Sequence, residues 1–207
     1  MAIPDGLNAQ QMLDAMDGVA YLVAPDGEIL AVGEPDWSVF SRANAAPWLT
    51  GAAVVGTSLF AAIAGEQLRD AYRRMHVSVG SGHHPEVGFE YRCDSPTMQR
   101  FMRMSIRPVP AGNLVLYQSQ IVVETPRPPL NLFAQAWRAA GRDGLLAELI
   151  VVLCSVCHRV VWPIGAAEPQ RQWITVEDYY RRGGPSDIAV SHGICPDCYQ
   201  TVVAPNV

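Results

Sequence analysis

The sequence predicts an α+β fold, in which a five-stranded antiparallel sheet with flanking helices is followed by a small metal-stapled unit. Three observations lead to this prediction: a strand hairpin near the N-terminus, a long amphipathic helix followed by three alternating strands, and two Cys-x-x-Cys pairs towards the C-terminus. With 207 residues, 49% of them hydrophobic and 17% charged, the chain can bury a core in each of two small domains.

The first two strands are predicted on either side of the Asp26-Gly27 step. Residues 19–23 and 28–32 are apolar runs rich in β-branched side chains, and an Asp-Gly step between such runs is a strong hairpin signal. Before the hairpin, residues 8–17 carry apolar side chains at helical spacing. They predict a short amphipathic helix that is either a lid on its own domain or a dimer contact.

The middle of the chain contains the main predicted helix. Residues 36–50 show no sustained period and predict short helical turns joined by loops. Between residues 57 and 79, apolar side chains recur at spacings of three to five, with Gly65 as a break. Three strands follow, over residues 86–93, 98–109 and 114–123. The alternation within them predicts a sheet with one apolar face and one solvated face.

In this order of elements, and in the hairpin Val-Ala-Pro-Asp-Gly-Glu-Ile, residues 8–123 resemble the PAS family of sensory domains. The resemblance implies a ligand-sensing or dimerisation domain with a cavity between the sheet and the long helix. The side chains expected to line that cavity are Tyr21, Phe60, Tyr72, Phe89, Tyr91 and Met104. The resemblance does not identify the ligand. The Asn-Cys-Arg motif of flavin-binding light sensors is absent, and Cys93, on a predicted strand, is expected to be inert packing.

Other candidate ligand-binding residues of this domain have simpler explanations. His76 and the histidine pair at 83–84 could bind haem or a metal, but isolated histidines near helix ends and in loops are commonly solvated or hydrogen-bonded. The side chains of Arg100, Arg103 and Arg107 could bind an anionic ligand. A solvated sheet face is the favoured interpretation of these arginines.

A proline-rich segment at residues 124–130 marks the predicted domain boundary. Three prolines in four positions cannot continue a central strand and favour an extended spacer. The predicted domains are a PAS-like sensory domain (1–123), a proline-rich linker with a helix (124–142) and a four-cysteine zinc unit (143–207). Residues 132–140 can form the linker helix, and the apolar run 145–153 is long enough for a buried helix or a strand.

Four cysteines form the strongest site pattern in the sequence. Cys154 and Cys157 make one Cys-x-x-Cys pair and Cys195 and Cys198 another, so four thiolates can surround one ion at Zn–S distances of about 2.3 Å. Cys-Pro-x-Cys is the tight turn typical of zinc ribbons and rubredoxin-like knuckles. We therefore predict a zinc-ribbon-like unit with structural zinc, in which His192 orients or caps a ligand without binding the metal itself.

The segment between the two cysteine pairs predicts two short strands, 160–162 and 173–174, that can pair with each other, and a helix that starts near Thr175. Residues 150–200 also resemble a small Cys-x-x-Cys…Trp…Tyr…Ser-His-Gly-Ile-Cys-Pro-x-Cys module that ends bacterial PAS and response-regulator proteins. Trp173, Tyr179 and residues 191–198 carry this likeness, which implies a sensory context.

Other chemistries of the cysteines stay open at this point. Residues 154–158 also match the Cys-x-x-Cys-His pattern of covalent haem c attachment. That attachment normally follows export, no signal peptide is visible, and the second pair would be unexplained. A redox dithiol and iron in the same four-sulfur cage are further alternatives. Zinc is favoured because it is the usual occupant of a closed tetrahedral site.

Composition excludes several classes of function. The net charge of −5 and the lack of lysine argue against a nucleic-acid-binding protein. No secretory signal and no run of ~18 apolar residues is visible, so we expect a cytoplasmic protein whose thiols stay reduced. No nucleophile–base or carboxylate pair stands out, and the protein is expected not to be an enzyme.

Together these features predict a cytoplasmic bacterial signalling protein that acts as a homodimer. Its PAS-like domain senses an unknown small molecule or mediates dimerisation, and its structural zinc unit contacts a protein partner. The alternative is a redox- or metal-responsive sensor in which the four-cysteine site is the active element.

Overall fold

Five antiparallel strands form the first sheet. The structure, a computed structural model, describes residues 8–44, 46–132, 150–186 and 188–206. The strands are β1 (Val19–Val23), β2 (Ile29–Val32), β3 (Val87–Arg92), β4 (Met98–Val109) and β5 (Leu114–Pro126). They are ordered β2-β1-β5-β4-β3, so β1 and β5 lie side by side near the middle. The predicted five-stranded antiparallel sheet is confirmed.

Four helices connect β2 to β3, and one precedes β1. They are α1 (Ala9–Asp14), α2 (Glu34–Ala43), α3 (Gly51–Val54), α4 (Leu59–Ala62) and α5 (Glu66–Gly80). The predicted break falls at Gly65, which has a φ of +85° between α4 and α5. The ten-residue α2 is longer than the predicted turns. Its start signals are a proline in the first turn and the acidic residues Glu34 and Asp36, which favour the helix N-terminus.

The helices cover the apolar face of the sheet. Alternate residues of the strands point into this core, including Phe89, Met104, Ile106 and Tyr117. The opposite face carries exposed ion pairs such as Arg103 to Glu90, at 3.1 Å between Nη2 and Oε1. The prediction of one apolar and one solvated face is therefore confirmed.

Arg100 lies on the covered face, and its grouping with Arg103 and Arg107 on a solvated face was wrong. It stands two residues before Met102, so strand alternation turns its side chain inward. Its Nη1 donates a hydrogen bond to Asn44 Oδ1 at 2.7 Å, and its Nε pairs with Glu124 Oε1 at 2.5 Å. The guanidinium is held by these neighbours, whereas Arg103 and Arg107 are exposed as expected.

A second sheet has four shorter strands, in the order β8-β7-β6-β9. They are β6 (Ile150–Cys154), β7 (Val160–Trp162), β8 (Gln172–Ile174) and β9 (Ala189–Gly193). The predicted pairing of β7 with β8 is observed, and β6 shows that the apolar run ends as a strand. The parallel pairing of β6 with β9 was not predicted. The predicted helix 132–140, except Leu132, and residues 145–149 lie outside the described residues.

Helix α6 (Val176–Arg181) follows β8 and begins as predicted. The Thr175 hydroxyl accepts a hydrogen bond from Asp178 N at 3.0 Å, which caps the helix, and Gly183 follows its end with a φ of +83°. Among the described residues, no helix combines the length and apolar character that crossing a bilayer requires.

Strand β5 continues three residues past its predicted end, to Pro126. Among the strands that the structure describes, only β4 pairs with its last residues, so they hold an edge position where proline is tolerated. The chain then runs back along the β3–β4 turn, because Arg127 N donates to Thr97 O at 3.0 Å and Leu130 N to Pro96 O at 2.9 Å. The proline-rich segment is thus hydrogen-bonded to the first sheet.

The second sheet packs its cysteine end against α5 and β3. Val156 and Val203 belong to the same buried cluster as Ala71, Met75 and Phe89. The backbone N–H of Arg92 donates to Val156 O at 2.7 Å, which joins β3 to the first cysteine turn. One continuous core therefore links the first sheet to the four-cysteine unit.

Candidate metal centre and ligand cavity

The four cysteines come together in one cluster. The Sγ atoms of Cys154, Cys157, Cys195 and Cys198 all lie within 4.8 Å of one another, and the Cys157 and Cys195 sulfurs are 3.7 Å apart. A tetrahedral site with metal–sulfur bonds of about 2.3 Å has sulfur–sulfur edges of about 3.8 Å. All four are free thiols. The cluster is therefore positioned to hold a metal ion.

Parallel pairing of β6 with β9 brings the two cysteine pairs side by side. Cys154 ends β6 opposite Gly193, the last residue of β9, so both strands lead into their cysteine turns at the same end of the sheet. Cys195 then caps a short helical turn, α7 (Pro196–Cys198). Cys195 N donates to Cys154 Sγ and Cys198 N to Cys195 Sγ, both at 3.4 Å. Such amide donors stabilise thiolates.

The thiols of the cluster are hydrogen-bonded to one another, so the pKa values of Cys154, Cys157 and Cys198 move in opposite directions. Hydrogen bonds from the Cys157 and Cys198 thiols hold the pKa of Cys154 far below its usual range. The contact with Cys154 raises the pKa of Cys157 to about 12 and that of Cys198 well above its usual range. A second thiolate in the cluster would lie close to the first and be repelled by it. A bound divalent cation would offset the negative charge of the four thiolates and allow all of them to ionise.

The donor set and its burial fit a closed site. Four thiolates in a tetrahedral arrangement suit zinc or iron, and three of these cysteines are buried. The same arrangement argues against covalent haem attachment. Cys154 is fully buried within the cluster, and His158 points towards Asp94, with 3.5 Å between Nδ1 and Oδ2.

Asp94 is the polar centre of the junction between the two sheets. Its buried carboxylate accepts hydrogen bonds from the Arg92 guanidinium, from Arg127 Nη1 at 2.9 Å and from Arg100 N at 3.0 Å. Burial alone would raise the pKa of this carboxyl, but the interactions with His158 and Arg92 outweigh it and hold the pKa well below its usual range. The β3–β4 turn, the proline-rich segment and the first cysteine turn therefore share one anion.

An apolar cavity of about 290 Å³ lies between the first sheet and helices α2 to α4, and not between the sheet and the long helix α5, where it was expected. Of the six side chains expected to line it, Tyr21, Tyr91 and Met104 do so. Tyr91 also lines a second cavity of about 110 Å³, together with Tyr72 and Phe89. That smaller cavity is closed on its other side by residues of the four-cysteine unit, including Val156 and Val203.

Phe60, the sixth expected residue, lines neither cavity. Its ring packs edge-on against His76, with 5.4 Å between ring centroids, and lies over Gly27 in the β1–β2 turn. A Cβ at Gly27 would come within 2.3 Å of the Phe60 ring, so this glycine is required for the contact. Phe60 is therefore a packing residue.

Sequence reasoning missed the cavity wall that α2 supplies. Trp37 and Phe40 line the cavity from this helix, and Asn44 lines it from the C-cap position. The missed signal was the spacing of Trp37, Phe40 and Ser41, at three and four residues, because the segment had been interpreted as short turns. Tyr21 contacts Trp37 edge-on and stacks on Tyr117 at 5.1 Å between ring centroids.

The histidines of the first domain serve structural contacts. His76 is buried, and its Nε2 lies 3.1 Å from Ala24 O, which can only accept, so Nε2 carries the proton. Nδ1 then accepts from the Tyr117 hydroxyl at 3.1 Å. Burial lowers the pKa of His76, which keeps the ring neutral. His84 Nδ1 bonds the Ser78 hydroxyl at 2.6 Å, and the His83 and His84 rings are in contact.

No model of a known protein family matches the chain, and none of the curated proteins matches it.

Proposed function

We propose that the protein is a signalling protein of the bacterial cytoplasm in which a PAS-like domain, residues 1–123, binds a small ligand. A four-cysteine unit with structural zinc passes the ligand state to a protein partner, and the protein acts as a homodimer without catalytic activity. The observation that carries this proposal is the apolar cavity of about 290 Å³ between the sheet and the helices.

The cavity walls indicate the kind of ligand. Several polar groups at the wall already have partners, since the Tyr91 hydroxyl bonds Ser119 Oγ at 2.5 Å and Asn44 bonds both Arg100 and Phe40 O. Aromatic and aliphatic side chains make up most of the remaining wall. Small-molecule sites commonly have volumes from ~300 Å³ upward and few polar groups. A small, largely apolar ligand fits best.

Tyr91 offers a physical route from the cavity to the metal unit. Its side chain lines both the ligand cavity and the junction cavity. The next residue, Arg92, donates its backbone N–H to Val156 O, between two of the cysteines. A ligand that shifts Tyr91 would therefore favour one of two packings at the cysteine turn, which is a population shift.

The burial of the cysteines supports a structural metal. Three of the four are buried, and together they tie β6 to the turn after β9 in a unit with few other elements. Small domains often depend on such metal staples for their stability. The module's contribution to signalling would then be a fixed surface for a partner.

The second candidate function is a redox- or metal-responsive switch at the four-cysteine site. The observation that favours it is that Cys157 is only partly buried, so an oxidant can reach one sulfur of the cluster. Zinc release coupled to disulfide formation under mild oxidant would support this function. Retention of stoichiometric zinc under the same oxidant would support the structural role.

Native mass spectrometry of protein purified from its own host tests the main proposal, because it reports metal, retained ligand and subunit count together. We expect one zinc per chain and a retained small molecule. Ala46 is buried at the cavity wall, so Ala46→Phe should fill the space and abolish retention. Hydrogen exchange should then differ between ligand-bound and ligand-free protein in residues 124–162. Equal exchange there would contradict the relay.

A further inference from the structure

Strand β5 has an open edge beyond Ser119. β1 pairs with β5 only as far as Val19 opposite Ser119, and Gly18, with a φ of +81°, turns the chain away. From Gln120 to Glu124, β5 pairs with β4 along its other edge. Within the described parts of the chain, no strand pairs with the edge that β1 leaves open. Such an edge presents backbone N–H and C=O groups that can pair with another extended chain.

A groove of about 400 Å³ runs beside this edge, between the end of β5 and helix α2. Val39 and Phe40 line it from the helix, and Met102 and Ile121 from the sheet. The N-terminal end of β1 also lines the groove, through Gly18 and Val19. A strand of five residues spans about 17 Å, which matches the open part of β5.

A β-bulge shapes the sheet side of the groove. Phe101 pairs with Val123 and Met102 with Ile121, so Val122 is an extra residue. The bulge lets Ile121 and Glu124, three residues apart, both face the groove. Ile121, Val122 and Val123 are 48%, 46% and 49% exposed, which is unusual for three consecutive large apolar side chains.

The charge of the groove selects the chemistry of its occupant. Three acidic residues line it, Asp17, Asp36 and Glu124, against the single arginine Arg100, which is paired with Glu124. Among the described residues, the other two carboxylates accept hydrogen bonds only from neutral donors, Asp17 from Gln120 Nε2 at 3.2 Å and Asp36 from Gly18 N at 2.7 Å, so the groove keeps a negative charge. A basic side chain on the occupant would be attracted. A second copy of the chain would instead bring the same three carboxylates and a net charge of −5 to the contact.

We propose that this groove binds an extended, basic segment of a partner protein, which adds to the edge of β5 as a sixth strand. An apolar side chain of the segment would pack between Val39 and Ile121, and an arginine or lysine would lie near Asp36. The groove adjoins the ligand cavity, since Phe40 lines both, but the binding rests on the strand edge and requires neither ligand nor zinc.

Fluorescence anisotropy with labelled eight-residue peptides tests this site on the full-length, zinc-loaded protein. The first probe alternates valine and arginine, and a second alternates valine and glutamate. Two further probes repeat the first with N-methyl groups on every valine or on every arginine. Because the N–H groups of alternate residues in a strand point to the same neighbouring strand, only one of the two N-methylated probes loses the N–H groups that face β5. We therefore expect binding of the basic probe, at least about tenfold weaker binding of the glutamate probe, and a similar loss for one N-methylated version.

A matched pair of variants locates the binding. Val39→Arg places a cation in the groove on an exposed helix position, where the wild-type side chain is 59% exposed. Val77→Arg makes the same change on α5, outside the groove, at a position that is 62% exposed. We expect Val39→Arg to weaken the basic probe at least about tenfold and Val77→Arg to leave it unchanged.

Several results would overturn the site. The first is a basic probe that does not bind at roughly 1 mM. The second is equal binding of the two N-methylated probes, and the third is an equal effect of the two arginine variants. A dimer in sedimentation that Val39→Arg dissociates and Val77→Arg does not would assign the groove to a second copy. None of these results bears on the ligand cavity, whose test is the retained molecule.

Discussion

Arg127, in the proline-rich segment, and Asp94, in the β3–β4 turn, form an ion pair with 2.9 Å between Nη1 and Oδ2. The aspartate side chain is completely buried and the arginine side chain is only 9% exposed. Arg92 and His158 face the same carboxylate. Residues from both sheets and from the connecting segment are therefore held by one buried anion.

Replacing this anion should destabilise the junction strongly. Asp94→Asn leaves the Arg92 and Arg127 guanidinium groups without their shared carboxylate, and removing one partner of a buried pair commonly costs about 3 kcal/mol or more. The free energy of unfolding in urea measures the effect. Glu90→Gln, which removes one partner of the exposed pair with Arg103, is the control and should cost less than about 1 kcal/mol. Equal costs would contradict the central role of Asp94.

Removing one thiol of the cluster should abolish metal binding. Cys195→Ser replaces a buried ligand, so we expect zinc to fall from one ion per chain to near zero in elemental analysis. Cys93→Ser is the matched control, because this thiol lies outside the cluster and burial raises its pKa to about 11. Zinc that persists in Cys195→Ser, or disappears equally in Cys93→Ser, would argue against the four-cysteine site.

The contact between α5 and β9 depends on Gly65. A Cβ there would lie 2.6 Å from His192 O, whereas a Cβ at Gly56 would meet nothing within 4 Å. Both glycines have a positive φ, and Gly65 with a ψ of 124° lies outside the left-handed helical region, so alanine should cost each about 1–3 kcal/mol in backbone strain. Gly65→Ala should cost about 1 kcal/mol more through the clash. Chemical denaturation of both variants measures the difference, and equal losses would mean that the contact is unimportant.

Stability should fall as the pH drops below neutral, partly through His76. Its folded-state pKa is lowered by burial, so below about pH 6.5 the unfolded chain binds a proton that the folded protein does not. Stability is thus retained above pH 6.5 and lost as the pH falls towards 5. His76→Gln should flatten this slope by at most about 1.4 kcal/mol per pH unit. His83→Gln, in an exposed loop, is the control, and its profile should follow that of the unmodified protein.

Local patterns in the sequence predicted most strands and the long helix, because their side-chain periods reflect which face is buried. The break at Gly65, the β7–β8 pair and the cap at Thr175 were all recognisable in this way. Helix α2 was missed, since its stripe of Trp37, Phe40 and Ser41 is narrow and its outer face carries the exposed Val39. A narrow stripe of this kind has little periodic signal.

The four-cysteine cluster was predictable because ligand type and spacing are local properties of the sequence. The parallel pairing of β6 with β9 was not, since nothing in either segment specifies a partner nearly 40 residues away. The junction around Asp94 escaped prediction for the same reason. Asp94 lies between two predicted strands, and its partners Arg127 and His158 come from distant segments. Cavity walls depend equally on such long-range packing.

The central position of β1 has a consequence for how the chain folds. Val19 pairs with Ser119, so the first strand cannot take its place until β5 is available. The two strands lie far apart in the sequence. The loop between them must close, at a cost in entropy, before their contacts can form, and this slows folding. Until then the edge of β1 that pairs with β5 is open, and the β1–β2 hairpin exposes the apolar side chains of Tyr21 and Val23, which favours aggregation. Slow synthesis at low temperature should therefore raise the soluble yield.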